Sequence, residues 1–230
     1  MSSDPHDTRN RLLDAARGLF ARRGYEGTTV RDIAEAAEAN LAAVGYHFGS
    51  KEGLYAEVLR SQVAPIADRL DPLARSDLPP LDKLEAIVRG VFDHIRARPE
   101  MPAIIARELA SGREANPALV ETFRRILPHI TGVIVEGQKD GTIRPGDPLL
   151  ITLSVMSQPI YFNLARVMIA AIAGLRLDDA ATAQRMADHA AAVVRAGLAG
   201  PAAKPSAGPA PTPSAAAAGV TRAPVKEAAR

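Results

Sequence analysis

The chain has 230 residues, of which 47% are hydrophobic and 4% aromatic, and it contains no cysteine. Disulfide bridges and thiolate metal sites are therefore excluded. The formal net charge of +2 comes from the last 30 residues, which hold four basic residues and one acidic, whereas residues 1–200 hold 24 basic and 25 acidic. No bulk basic charge marks the folded part as a nucleic-acid binder, so any DNA contact must come from particular residues.

The composition predicts an all-α fold, because Ala, Leu, Ile and Arg are abundant while Thr, Tyr, Phe and Trp are scarce. Residues 201–230 are mostly Ala, Pro, Gly and Ser. They have too little apolar surface to offset the entropy of ordering, so we expect a disordered tail there. No segment has the form of a signal peptide or of a membrane span, which predicts a cytoplasmic protein without a membrane partner.

Three short helices are predicted at the N-terminus. Apolar residues at helical spacing predict helix 1 over 8–23, with Gly24 as its stop. The run Thr29-Val-Arg-Asp32 has the form of a capping box and starts helix 2. After a break at 38–40, a third helix runs over 41–48.

Helices 2 and 3 have the arrangement of a helix-turn-helix, in which the second helix enters the major groove of DNA. Val44 and Phe48 are expected to face the core, which leaves Leu41, Ala42 and Gly45 pointing outward. Small and apolar groups on that face suit close approach to base edges and thymine methyl groups.

Beyond Ser50, which caps a helix running to about Leu70, turn residues divide the chain into further helical stretches. These are 81–98, 101–111, 117–140, 147–173 and 179–199. Pro159 lies inside the fourth stretch and predicts a broken helix near 158–161, which would supply a hinge.

About fifty contiguous residues resemble the DNA-binding domain of the TetR family of transcriptional regulators. The resemblance rests on three runs: Leu12–Tyr25, Thr28–Ala37, and Asn40–Tyr55 with its Tyr-His-Phe-Gly-Ser-Lys-Glu sequence. It implies a helix-turn-helix domain over 1–55 joined to a helical sensing and dimerisation domain over 56–200. It also implies a ligand-responsive repressor that binds a palindromic operator as a homodimer and is released by a small, largely apolar effector.

The resemblance also assigns roles to residues of this chain. Arg31 matches a position that reaches a guanine, and Leu41, Ala42 and Gly45 match base-facing positions. The positions that match phosphate contacts are Thr29, Ala43, Tyr46, His47 and Lys51.

Two positions depart from the family pattern. Glu38 stands where the turn usually has Gly, so a left-handed backbone there would be strained or the turn would differ. Gly45 replaces a larger residue, which removes a contact and weakens a short helix.

The C-terminal part is similar to a TetR subgroup related to the regulator CecR, through Arg107-Glu-Leu109 and the run Ser154–Arg166. The similarity implies that 147–172 and 179–199 pair with their copies in a dimer. Polar residues that could anchor an effector among the helices 81–98, 101–111, 117–140 and 147–172 are His94, Arg107, Glu108, His129, Gln158, Tyr161 and Asn163.

Other functions remain open at this point. No His-Glu-x-x-His, glycine-rich phosphate loop or Gly-x-Ser-x-Gly occurs, so we predict no enzyme, no metal site and no cofactor. The alternatives are a helical interaction or adaptor protein, or a nonspecific DNA-binding protein without an effector.

Overall fold

The computed structural model describes residues 5–176 and 178–204. Within them it contains helices and no β-strand, which confirms the predicted all-α fold. The helices are α1 (Pro5–Arg23), α2 (Val30–Ala36), α3 (Ala42–Phe48), α4 (Lys51–Ala74), α5 (Pro80–Ala97), α6 (Met101–Leu109), α7 (Pro117–Lys139), α8 (Pro148–Leu164), α9 (Arg166–Ala173) and α10 (Ala180–Leu198).

The first three helices pack on the N-terminal half of α4 around one apolar cluster. Its fully buried members come from each helix: Leu12 and Phe20 from α1, Ile33 from α2, Val44 from α3 and Leu54 from α4. Burial of this much apolar surface stabilises a unit whose individual helices are too short to be stable alone.

The predicted capping box opens α2. The backbone N–H of Thr29 donates to Asp32 Oδ2 at 2.9 Å, and the backbone N–H of Asp32 donates to Thr29 Oγ1 at 3.1 Å. The Thr29 hydroxyl also donates to Asp32 Oδ2, and this bond, together with that from the Thr29 backbone N–H, holds the pKa of the Asp32 carboxyl below its usual value. The carboxylate is therefore ionised at neutral pH and stabilises the first turn.

The turn between α2 and α3 contains the one non-glycine residue with positive φ among the described residues, Glu38 at 50°. Of the two alternatives left open by the sequence, a strained left-handed backbone or a different turn, the structure has the left-handed backbone. From α1, Arg11 Nη1 donates to the carbonyl of Ala37 at 3.0 Å and to that of Glu38 at 3.4 Å. The guanidinium holds the turn in place and offsets part of the backbone strain.

The long helix α4 crosses the predicted domain boundary at 55/56 without interruption. Its first half carries the N-terminal cluster, while the rest packs along α7 and α5. A continuous helix of 24 residues therefore connects the two predicted domains.

Helix α10 is fastened to α5 by ion pairs. Arg195 bonds to both Asp82 and Glu85, and Arg89 Nε donates to Asp188 at 2.8 Å. Because Glu85 is buried, its two arginine partners are needed to compensate for desolvation of its charge.

The predicted break near 158–161 is misplaced, because the chain forms two helices, α8 and α9, with an angle of 67° between them. The turn lies at Ala165, where ψ is 4°, and not near Pro159. The Pro159 ring is buried within α8, and Asn163 Nδ2 donates to the Pro159 carbonyl at 2.9 Å, which supports the following turn. Among the described helices none alone has the length and hydrophobicity of a membrane span, although α8 and α9 meet that criterion as a bent pair.

Residues 201–204, the first four of the predicted tail, belong to the described structure. The tail therefore starts later than the sequence predicted. The N–H of Gly200 donates to the Thr142 carbonyl at 2.9 Å, and that of Ala202 to the Gly141 carbonyl at 3.1 Å. Backbone pairing with the 141–144 turn compensates for the poor apolar content of this segment. The rest of the predicted tail, 205–230, lies outside the described residues.

Candidate DNA-binding and effector sites

Helix α3 presents one face to solvent and one to the core, as predicted. Val44 is buried and Phe48 packs against the core, whereas Ala42 and Gly45 are exposed. Leu41 is 50% and Tyr46 82% exposed. Such exposed apolar area on a short helix is costly in water and is typical of a binding surface.

The remaining predicted DNA-contacting residues lie on the elements that flank this face. Thr29 and Arg31 stand at the start of α2, and Arg31 is exposed. Ala43 and His47 are half-buried on α3. The Thr29 hydroxyl already donates to Asp32 Oδ2 at 2.6 Å, so its hydrogen is engaged in the capping box.

Lys51 stands at the first position of α4, directly after the Ser50 cap. Its Nζ lies 4.1 Å from the centre of the Tyr25 ring, a cation–π contact that fixes the ammonium beside the helix N-terminus. On the same ring lies the Arg113 guanidinium, with its Cζ 4.6 Å from the ring centre. The two cations tie the loop after α1 to α4 and to the loop before α7.

Residues 1–55 carry no net positive charge, yet some of their basic side chains have no carboxylate partner, because ion pairs form only at particular places in this domain. Four of its basic residues pair with carboxylates, namely Arg9, Arg11, Arg17 and Arg23. Among the described residues, the basic side chains of this domain that form no such pair are Arg22, Arg31 and Lys51. Two of these three belong to the predicted DNA-contacting set.

Two neighbouring cavities lie in the C-terminal bundle. The smaller, of about 20 Å³, is entirely apolar and lined by α4, α5, α6, α7 and α8. The second, of about 40 Å³, lies between α4 and α5 and carries Arg69 and His94 among apolar residues. Ile66 and Val91 line both cavities, so these two side chains form part of the wall between them.

His94 is fully buried and is the predicted effector residue that lines a cavity. Its Nε2 lies 2.6 Å from the Gln62 carbonyl oxygen and must donate to it, which leaves Nδ1 as the acceptor facing Arg98 at 3.5 Å. Burial, reinforced by the positive charges of Arg98 and Arg69, lowers the pKa of His94. The imidazole is therefore neutral at pH 7.

Arg107 and Glu108 lie at the contact between the two predicted domains and line neither cavity. Arg107 donates from Nε to the Ala21 carbonyl at 3.1 Å and from Nη2 to the Arg22 carbonyl at 3.0 Å, so it caps the C-terminus of α1. The buried Glu108 carboxylate accepts from Tyr55 Oη at 2.9 Å and from Arg113 Nη2 at 3.2 Å.

The other four predicted effector residues are dispersed. His129 on α7 is half-buried, with Nδ1 3.9 Å from Asp71 of α4. On α8, Tyr161 is 64% exposed, Gln158 is half-buried and Asn163 supports the turn after Pro159. None of these four lines the cavities described above.

Several residues at these sites were missed by the sequence reasoning. Arg69 and Arg98 stand beside His94, and Gln62 is fully buried with no hydrogen-bond partner for its side-chain oxygen. No motif marks them, because they meet only when α4 and α5 pack together. No group of three potential metal ligands from His, Asp and Glu was found in the described part of the chain.

Comparison with known proteins identifies the family. Residues 12–58 match the model of the bacterial regulatory proteins of the tetR family, and residues 80–194 match a tetracycline repressor-like C-terminal domain. The chain belongs to the TetR family of transcriptional regulators. Like other members, it is a DNA-binding protein with a helix-turn-helix.

Its relatives include two repressors. The transcriptional repressor KstR2 of Rhodococcus jostii is 35% identical over 138 residues, which is 59% of this chain and 68% of the relative. The repressor NicS of Pseudomonas putida is 30% identical over 181 residues, 75% of this chain and 83% of the relative.

Solved structures share the fold. The ketosteroid regulator KstR2 of Mycobacterium tuberculosis aligns with a TM-score of 0.66 at 26% identity, covering 83% of this chain and 94% of its own. FadR of Bacillus subtilis, solved with stearoyl-CoA, aligns with a TM-score of 0.68 at 18% identity, covering 82% and 98%.

Proposed function

We propose that the chain is a ligand-responsive repressor that binds a near-palindromic operator as a homodimer, with α3 of each subunit in the major groove. The observation that carries this proposal is the exposed apolar face of α3, formed by Leu41, Ala42, Gly45 and Tyr46, beside the unpaired cations Arg31 and Lys51. Together they offer a surface for base edges flanked by charges for the phosphates.

Each proposed DNA-contacting residue has a role that its position supports. Arg31 is free to form a bidentate contact with a guanine edge. Leu41, Ala42 and Gly45 approach the bases, and Gly45 leaves the most room, since a Cβ added there meets nothing within 4 Å. The phosphate contacts are assigned to Thr29, Ala43, Tyr46, His47 and Lys51. Of these, Lys51 adds its charge to the amides at the N-terminus of α4.

A homodimer is needed because one seven-residue helix makes few contacts, whereas two such helices read successive major grooves about 34–36 Å apart. The proposed interface comprises α8 and α10, as predicted for 147–172 and 179–199. Large apolar side chains on these helices are exposed in the single chain: Leu149, Leu150, Leu153, Tyr161, Leu164 and Val193. An exposed apolar area of this extent is typical of a protein interface.

The effector site is proposed at the two cavities among α4 to α8, with His94 as a polar anchor. The proposal keeps the two predicted domains, with 1–55 binding DNA and 56–200 sensing the effector and dimerising, and an appended tail follows them. Membership of the CecR-like subgroup and a cytoplasmic location also remain predictions.

Fluorescence anisotropy with DNA from upstream of the chain's own coding sequence tests the proposal. We expect tight binding to a near-palindrome in this DNA and weak binding to a scrambled duplex of equal length. Arg31→Ala should weaken specific binding by about 5- to 150-fold, because a bidentate guanine contact contributes about 1–3 kcal/mol. The control Arg124→Ala, an exposed arginine on α7, should change nothing. Equal affinity for both duplexes would refute specific operator recognition.

The dimer is tested separately by analytical ultracentrifugation. Leu150→Glu on the exposed side of α8 should shift the protein toward monomer and abolish tight operator binding. Leu109→Glu is the matched control, because Leu109 is 74% exposed on α6, outside the proposed interface. A dimer that withstands Leu150→Glu but dissociates with Leu109→Glu would place the interface elsewhere.

A further inference from the structure

The loop after α1 places one aromatic ring, that of Tyr25, against the first residue of α4. Lys51 Nζ lies 4.1 Å from the centre of this ring, well within the range of a cation–π attraction. Burial, together with the nearby carboxylates of Glu52 and Glu26, raises the pKa of Tyr25. The phenol is therefore protonated at neutral pH, and the ammonium is attracted to the electron-rich face of a neutral ring.

Three further contacts hold the Tyr25 ring itself in place. The buried Tyr55 ring lies 4.9 Å away between ring centres, and the Phe20 ring is stacked at 6.1 Å. The Arg113 guanidinium also lies over the Tyr25 ring, with Cζ 4.6 Å from its centre, and the buried Glu108 carboxylate holds this guanidinium at 3.2 Å. Because the ring is fixed on several sides, a cation over it has a defined position.

The Lys51 ammonium retains hydrogen-bond donors for a partner outside the protein. Within residues 5–176 and 178–204, its Nζ donates to no protein acceptor and forms no ion pair with a carboxylate. An ammonium has three N–H donors, and the ring face engages only the side that points toward it. Since Lys51 is only half-buried, a phosphate oxygen can approach the remaining donors.

A second cation–π pair in the same domain shows the contrast. The Arg9 guanidinium lies over the Phe48 ring, with Cζ 5.2 Å from its centre. There Arg9 Nη2 donates to Glu57 at 2.8 Å, so the protein already neutralises this cation. That pair joins α1 to the end of α3, whereas the Tyr25 ring presents a cation that has no carboxylate partner.

A lysine side chain is long and flexible, and its immobilisation on binding weakens the affinity for any partner. A ring that already holds the ammonium removes part of this cost before the DNA arrives. We propose that Tyr25 is a positioning residue for DNA binding: its ring holds the Lys51 ammonium beside the N-terminus of α4, in the place where it binds a phosphate. This inference rests on the proposed function, because the phosphate contact of Lys51 belongs to that function.

Operator affinity of the full chain, measured by fluorescence anisotropy, tests the role of the ring. Tyr25→Leu should weaken binding at least about fivefold, because each of the two subunits must then immobilise a free lysine. Tyr25→Phe should bind as tightly as the unmodified chain, since the Tyr25 hydroxyl forms no hydrogen bond within the described residues. Equal losses in the two variants would refute a role of the ring face.

A double-mutant cycle with Lys51→Met separates positioning from packing. Lys51→Met keeps most of the alkyl stem but removes the charge, so in this background Tyr25→Leu should change operator affinity less than about twofold. Arg9→Met is the matched control, because it removes the other cation that lies over a ring, and it should leave the effect of Tyr25→Leu at full size. An equally large loss from Tyr25→Leu with and without Lys51 would show that the ring only packs.

Fluorinated phenylalanines in place of Tyr25 keep the shape of the ring and withdraw electron density from its face, so they test the attraction even if Tyr25→Leu does not fold. Operator affinity should fall stepwise from phenylalanine to mono-, di- and trifluorophenylalanine. Constant affinity along this series, in a chain that prefers its operator, would overturn the inference and leave the proposed function standing. No operator preference in the unmodified chain would refute the proposed function itself.

Discussion

The hydroxyl of Tyr55 donates a 2.9 Å hydrogen bond to the buried carboxylate of Glu108 and thereby joins α4 to α6. Helix α6 has two functions at once. Its residues Met101, Pro102 and Ile105 line the apolar cavity, while Arg107 and Glu108 reach the N-terminal helices. A ligand that shifts α6 would therefore move the contacts that position α1 and α4, and we propose these contacts as the connection between the effector site and the DNA-binding helices.

Tyr55→Phe should lower the free energy of unfolding by about 1–3 kcal/mol, because the Glu108 carboxylate stays buried after losing a donor. Burial and this hydrogen bond also raise the pKa of Tyr55, so the phenol is protonated and acts as a donor at neutral pH. Urea denaturation measures the effect. Tyr161→Phe is the control, since Tyr161 is largely exposed. Equal stability of the two variants would show that the Tyr55 bond contributes nothing.

Arg107→Met should loosen the end of α1, because the carbonyls of Ala21 and Arg22 lose their donor while the alkyl stem is kept. We expect faster hydrogen exchange of the amides around 20–24, measured by mass spectrometry. Arg166→Met, at an exposed arginine outside this contact, serves as the control, and unchanged exchange at 20–24 in Arg107→Met would count against the connection.

Glu38→Gly should stabilise the protein by about 0.5–1 kcal/mol, because glycine adopts the φ of 50° without the strain that a side chain causes. Glu35→Gly is the matched control within α2 and should destabilise by about 1 kcal/mol through lost helix propensity. Thermal unfolding compares the two variants. A decrease in stability for Glu38→Gly would show that the Arg11 contacts already remove the strain.

The stability of the protein should fall as the pH is lowered below 6.5, the ordinary pKa of histidine. Burial beside Arg98 and Arg69 lowers the pKa of His94 in the folded state, so the unfolded chain binds the proton more tightly. The loss begins as the pH falls through 6.5 and is complete below the folded-state pKa. His94→Gln should reduce the pH dependence between 7 and 5 seen by urea denaturation, with the exposed His189→Gln as control. Identical pH profiles of His94→Gln and the unmodified chain would disprove this assignment.

The sequence alone determined the local elements of this protein. Capping signals and apolar spacing located α2, α3 and the exposed face of α3, because those signals act within one or two turns of the chain. The sequence also marked Glu38 as the place where a glycine is missing, but it left open whether the backbone there is left-handed or the turn differs, and the structure decided for a φ of 50°.

The tertiary structure alone decided what the polar residues of the C-terminal bundle do. Arg107 and Glu108 looked like ligand anchors in sequence but cap α1 and hold Tyr55, while Arg69 and Arg98 converge on His94 without any shared motif. The sequence also did not predict that the bend between α8 and α9 lies at Ala165 and not at Pro159. Each outcome depends on which helix packs against which, and the pairing of distant helices is set by shape and burial across the whole core, which no local pattern records.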